Sequence, residues 1–105
     1  MSGLSDSRVG IEGLGSSGRV SIVTLNGSGW TALPTTALSG RASILVQNQS
    51  GGGLTVLINY SNAAPAGEGI QIPDGGFKGM SVKDNVIVYG RMASGAGSVA
   101  VEELA

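Results

Sequence analysis

The side chains able to do chemistry in this 105-residue chain are serines, six lysines and arginines, and seven carboxylates, because histidine and cysteine are both absent. Without histidine, a serine nucleophile would need a lysine as its base. Ser81-Val82-Lys83 comes nearest, placing Ser and Lys two apart and so on one face of a strand. The S-x-x-K and G-x-S-x-G spacings are missing, and Lys78 and Lys83 both flank turn sequences, where a solvated amine is the expectation. The carboxylates Glu68, Asp74, Asp84, Glu102 and Glu103 form no D-x-[DN]-x-[DN]-G loop. Asp74-Gly75 and Asp84-Asn85 are residue pairs that β-turns select. Neither Cys nor His is available to hold zinc. We therefore expect no catalytic residues, no metal and no cofactor, hence a protein that is not an enzyme.

Two further motifs bear on ligands. Gly13-Leu14-Gly15-Ser16-Ser17-Gly18 fits G-x-G-x-x-G by letter. A dinucleotide site needs a helix after those glycines, and here a β-branched strand sequence follows. The four aromatics are Trp30, Tyr60, Phe77 and Tyr89. They serve either as core anchors or, if Trp30 or Tyr60 is exposed, as a sugar-binding surface. Charged residues make up 12% of the chain and the net charge is -1, which argues against an electrostatic nucleic-acid binder. No stretch reaches 18 apolar residues, so no membrane span is expected. The sequons at Asn26 and Asn48 read as turn chemistry.

Elements able to position these residues are strands. Residues 20–25 (Val-Ser-Ile-Val-Thr-Leu) alternate and end at Asn26-Gly27, a strong turn signal. Residues 30–33 make a short strand stopped by Pro34. Residues 42–48 and 54–60 read as a hairpin across Gly51-Gly52-Gly53. Further strands are expected over 69–72, 77–82, 86–89 and 98–102. Gly and Pro recur at the spacing of a sandwich or small barrel, and no window keeps a helical period. The chain thus divides into a Gly/Ser-rich extended arm, residues 1–19, and one antiparallel β-sandwich, residues 20–105, all-β and jelly-roll-like or immunoglobulin-like. Expected core residues are Ile22, Leu45, Val56, Ile58, Ile72, Val88, Val99 and Val101. In the arm, Leu4, Val9, Ile11 and Leu14 are too sparse for a core but could dock on a neighbour.

The order Trp30, Leu33-Pro34, Leu38-Ser39-Gly40-Arg41, the strand 42–48 and Gln49-Ser50 carries a resemblance. With Gly69-Ile70-Gln71-Ile72-Pro73-Asp74-Gly75 and a closing strand rich in Val and Glu, residues 30–104 resemble small all-β virion proteins of tailed bacteriophages, the capsid decoration (cement) and head-fibre group. That resemblance implies a non-enzymatic structural protein that binds and stabilises the outer surface of the capsid. Its partner would be the major capsid protein, and its place the virion, assembled in the host cytoplasm. It would be a homo-oligomer, by symmetry matching a trimer. Leu4, Val9, Ile11, Leu14 and Trp30 are the interface candidates, with neither nucleic acid nor membrane as partner. The alternative is a carbohydrate-binding module of a fibre or other host-recognition protein.

Overall fold

β-branched and aliphatic residues at period two, cut by glycine-rich turns, produce eight strands and no helix among the described residues, 17–105, of the computed structural model. The strands are β1 (Gly18–Asn26), β2 (Thr31–Ala32), β3 (Ser43–Asn48), β4 (Val56–Asn59), β5 (Ile70–Ile72), β6 (Phe77–Met80), β7 (Tyr89–Met92) and β8 (Ala96–Leu104). They form two four-stranded sheets, β1-β8-β3-β6 and β2-β7-β4-β5, in which every pair is antiparallel. The pairs β1–β8, β2–β7, β3–β6 and β4–β5 are nested, as in one long hairpin wound around a barrel. This winding is the jelly roll, so the sandwich expected from the sequence is present in its jelly-roll form rather than its immunoglobulin form.

Three local expectations change. The strand expected over 86–89 lies three residues later, at β7 (Tyr89–Met92), although Val88 still enters the core. β3 and β4 do not pair as a hairpin; each lies in a different sheet. The intervening glycines Gly51, Gly52 and Gly53 all adopt positive φ (77, 64 and 74°), which carries the chain across the sandwich instead of back along the same sheet. Asp74 fixes this turn by accepting from the Gly51 and Gly53 amides at 3.0 and 3.1 Å. Asn48, buried at the end of β3, donates from Nδ2 to the carbonyls of Leu54 and Ile72, tying the turn to both flanking segments. The boundary drawn at residue 19 also moves, because β1 begins at Gly18 and Ser17 already pairs with Ala105. The arm residues Leu4, Val9, Ile11 and Leu14 lie outside the described residues.

The core lies between the sheets. Val56, Ile58, Ile72, Val88, Val99 and Val101 are buried there as expected, joined by Leu25, Leu33, Ile44, Val46 and Met92. Ile22 and Leu45 are not core residues. Ile44-Leu45-Val46 is apolar on both faces, and strand phase puts Ile44, Val46 and Asn48 inside. In β1 the inner face carries Arg19, Ser21, Val23 and Leu25, so Ile22 points out and is 63% exposed. Full burial of Leu25 and pairing of Arg19 with a buried carboxylate fix that phase against the greater hydrophobicity of Ile22.

Candidate interaction surface

The two sheets treat their outer faces differently. In β4, Val56 and Ile58 enter the core, so Leu57 points outward, yet it is only 3% exposed. Its cover comes from Trp30 and the loop 60–69. A Cβ placed on Gly69 would meet Leu57 Cβ and Trp30 Cη2, both at 3.2 Å, and the Ile58 carbonyl at 2.8 Å. Only glycine lets the three come this close. The Trp30 indole donates from Nε1 to the Ala64 carbonyl at 2.8 Å, and the Arg91 guanidinium lies 5.9 Å from its ring centroid. Trp30, an interface candidate from the sequence, is therefore half-buried and closes the outer face of its own sheet.

The outer face of β1-β8-β3-β6 has no such cover among the described residues. Register aligns Ile22, Ala100, Gln47 and Phe77 in one row across it, and Val20, Glu102, Leu45 and Gly79 in the next. Val20 is 64% exposed and Phe77 68%, with Ile22 and Leu104 also open. Strand spacing of about 4.8 Å and a rise of about 3.3 Å per residue make this face roughly 20 Å across, tapering from about 30 Å long at β1 and β8 to about 13 Å at β6. Exposed apolar side chains clustered on one sheet face and interspersed with polar ones, here Gln47 and Glu102, are the make-up of an interaction surface. Glu102 is the single charge projecting from it among these rows.

One buried ionic cluster holds β1 to this sheet. Glu103, fully buried on the inner face of β8, accepts from Arg19 Nε at 3.0 Å, Arg41 Nη1 at 2.9 Å and the Leu38 amide at 2.9 Å. Arg41, itself buried, also donates from Nη2 to the carbonyls of Lys83 and Val86. Burial alone would raise the Glu103 carboxyl. The Leu38 amide and the two guanidiniums outweigh it and hold the group below its ordinary value of 4.5. The sequence carried a signal for this cluster that was missed. Period two places Glu103 on the same face as Val99 and Val101, and a carboxylate there requires a cationic partner.

Two further carboxylates, Asp74 and Asp84, hold loops in place. Both lie in the turns their sequences imply, closed by Gly76 N–H to the Pro73 carbonyl at 2.8 Å and Val86 N–H to the Lys83 carbonyl at 3.1 Å, but their carboxylates reach farther: Asp84 accepts from the Gly40 amide at 2.8 Å and Asp74 from the amides of the glycine turn. Two open depressions of about 230 and 520 Å³ flank Arg41. Ser81, Lys83 and Asp84 line the larger, but no hydrogen bond joins Ser81 to Lys83 among the described residues. No group of three or more Asp and Glu side chains is placed to hold a metal ion among these residues.

No family model matches the sequence, and no curated protein matches it. Among solved structures, protein NMB1881 from Neisseria meningitidis is similar over 86% of this chain and 76% of that one, with a TM-score of 0.51 and 15% identity. A protein of Bacillus endospore appendages, described as disulfide-linked pili, is 17% identical over 84% of this chain and 85% of that one, at a TM-score of 0.48. A cupin-2 domain containing protein from Shewanella frigidimarina is 12% identical over 95% and 91% of the two chains, at a TM-score of 0.49. At these identities the likeness is one of fold and does not extend to activity.

Proposed function

We propose that the protein is a non-enzymatic structural component of a virion, a capsid decoration protein that docks on the shell through the bare outer face of β1-β8-β3-β6. The observation that carries this reading is the contrast between the sheets. One outer face is closed by Trp30 and the loop 60–69, whereas the other leaves Val20, Ile22, Phe77 and Leu104 uncovered by the described residues. The resemblance of residues 30–104 to phage decoration proteins supplies the partner, the major capsid protein. The polar groups agree with a binding role, since Asp74, Asp84 and Glu103 serve turns and the ionic cluster.

Co-sedimentation with assembled shells, with free capsid subunits as the control, tests the proposal. Binding to shells alone is the expected result. Burial of one large apolar side chain contributes about 1.5–3 kcal/mol, so Phe77→Lys should weaken shell binding roughly tenfold or more while the fold stays intact. Unchanged affinity of Phe77→Lys and Val20→Lys would remove this face from the docking site. Failure of the wild-type protein to bind shells would remove the function.

A further inference from the structure

The ladder between β1 and β8 determines which backbone groups of β1 face away from the sheet. Ser17 and Ala105 exchange both backbone hydrogen bonds, at 3.0 and 2.9 Å. Bonded and non-bonded pairs alternate along an antiparallel ladder. In the register Arg19↔Glu103, Ser21↔Val101, Val23↔Val99 and Leu25↔Gly97, the odd residues therefore bond β8. Gly18, Val20, Ile22 and Thr24 turn both N–H and C=O toward the open side, because β1 is an edge of its sheet. No other hydrogen bond of the described residues engages these groups.

The remaining edges are short or protected. β2 has two residues and runs into Pro34; β5 has three and runs into Pro73; β6 has four and carries Lys78. β1 spans nine residues with no proline, and its one charge, Arg19, turns inward to Glu103. Proteins ordinarily blunt an edge of this length with charge, proline or a bulge. Among the described residues, β1 has only the inward-turned Arg19 of these devices, with neither a proline nor a charge on its open side.

We propose that β1 is a dimerisation edge, pairing antiparallel with β1 of a second copy across a two-fold axis normal to the sheet, a two-fold contact in place of the trimer that the resemblance implies. A two-fold sets the edge against itself, so the edge must be self-complementary. It is: donors and acceptors alternate along it, and no like charges meet at the axis. Stacking two copies face to face would instead bring Glu102, in the middle of the outer face, toward its own copy. Setting Ile22 opposite Ile22 pairs Val20 with Thr24 and matches the full length of the strand. The side chains of Val20 and Ile22, 64% and 63% exposed in the single chain, then shield one another across the joint. The product is a continuous sheet ordered β6-β3-β8-β1-β1-β8-β3-β6. This contact does not depend on the virion reading.

Sedimentation equilibrium of the full chain should show a monomer–dimer equilibrium below roughly 100 µM, as fits a small contact. The chain has no cysteine, so introduced thiols report cleanly. Ile22→Cys should crosslink to itself on oxidation, and Val20→Cys should crosslink to Thr24→Cys when the two are mixed. Thr24→Cys alone should not. Ile22→Lys places two charges at the axis and should weaken the dimer at least tenfold with the circular dichroism spectrum unchanged. Thr24→Pro removes an N–H that β8 does not use and should do the same. Persistence of the dimer in both variants, or self-crosslinking of Thr24→Cys as efficient as that of Ile22→Cys, would overturn the proposal. So would a wild-type monomer at every concentration. If the amides of Val20, Ile22 and Thr24 resist exchange in such a monomer, the edge is covered by the chain's own residues 1–16 and the proposal fails.

Discussion

Replacing Glu103 by Gln tests the ionic cluster with almost no change of shape. Glu103 is 0% exposed and Arg41 2%, so the substitution leaves a guanidinium buried without its counter-charge. The new amide also brings N–H groups to a site where Arg19, Arg41 and Leu38 all donate. Breaking a buried ion pair by removing one partner costs about 3–5 kcal/mol. The Arg19 side chain is 38% exposed, so solvent screens it and its share is at most about 1 kcal/mol. Against a total stability of about 5–15 kcal/mol, the loss is large but survivable. For a domain of this size it corresponds to a fall in Tm of roughly 15–30 °C. Urea unfolding at pH 7, followed by the fluorescence of the single tryptophan, Trp30, measures it. The pH profile gives an independent check. Glu103 has a folded pKa below 4.5, so between that value and 4.5 the unfolded chain binds more protons than the folded one. Its contribution is complete above the unfolded value and is lost as pH falls through the lowered folded value. Glu103→Gln should flatten this part of the profile. A loss under about 1 kcal/mol at neutral pH, or wild type and variant declining in parallel on acidification, would refute the buried-pair account.

Three other substitutions probe strand phase, close packing and the sheet-crossing turn. Ile58→Ala should cost about 2–5 kcal/mol in chemical denaturation, whereas Ile22→Ala at low protein concentration should stay within about 0.5 kcal/mol, and the reverse order would show that β1 has the opposite phase. A Cβ at Gly90 would meet Leu33 Cδ1 at 2.8 Å and Leu25 Cδ1 at 3.0 Å, where β1 crosses the second sheet. Gly90→Val should therefore lose about 1–3 kcal/mol by overpacking, read as a lower thermal midpoint. Asp74→Ala frees the amides of Gly51 and Gly53 and should cost about 1–2 kcal/mol, with exchange of those two amides accelerating.

The strands were legible because alternation survives wherever one face is buried and the other wet. Val56, Ile58, Ile72, Val99 and Val101 follow from it directly. Alternation fails at Ile44-Leu45-Val46, where both phases are apolar, and at residues 20–25, where the better hydrophobe lies in the wrong phase. In β1 the phase is set by the meeting of Arg19 with Glu103, 84 positions apart. Nothing local announces that contact, although Glu103 on the valine face of β8 demands a partner and Arg41 lies in a motif already singled out. The hairpin expected across Gly51-Gly52-Gly53 failed for a related reason. Composition signals that the chain turns there, but the sheet it joins afterwards is decided by Asn48 and Asp74, whose partners lie 6 to 24 residues away. For the candidate surface, the sequence named Trp30 because aromatics mark binding, and the structure uses that ring to close the other sheet. Val20 and Phe77 carry the open face instead, and their exposure depends on register between strands distant in sequence.

The proposed docking face and the proposed β1 joint are coupled by geometry. The even-numbered residues of β1 put their side chains on the outer face and their free N–H and C=O groups on the edge, so the residues that would bind a shell also border the dimer joint. A two-fold normal to the sheet keeps both outer faces on one side. The Ile22 rows of the two copies then join end to end, with Phe77 at each outer end, and each Val20 row continues into the partner's Thr24 row. A dimer would present twice the docking surface to one shell, and the second copy would bind at the effective concentration set by the first. Thr24→Pro separates the two effects, since it touches the joint and leaves Val20, Ile22 and Phe77 in place. If pairing serves docking, this variant should lose shell affinity by much more than the twofold expected from counting sites. A loss of twofold or less would mean that each copy docks alone and that the edge serves some other contact.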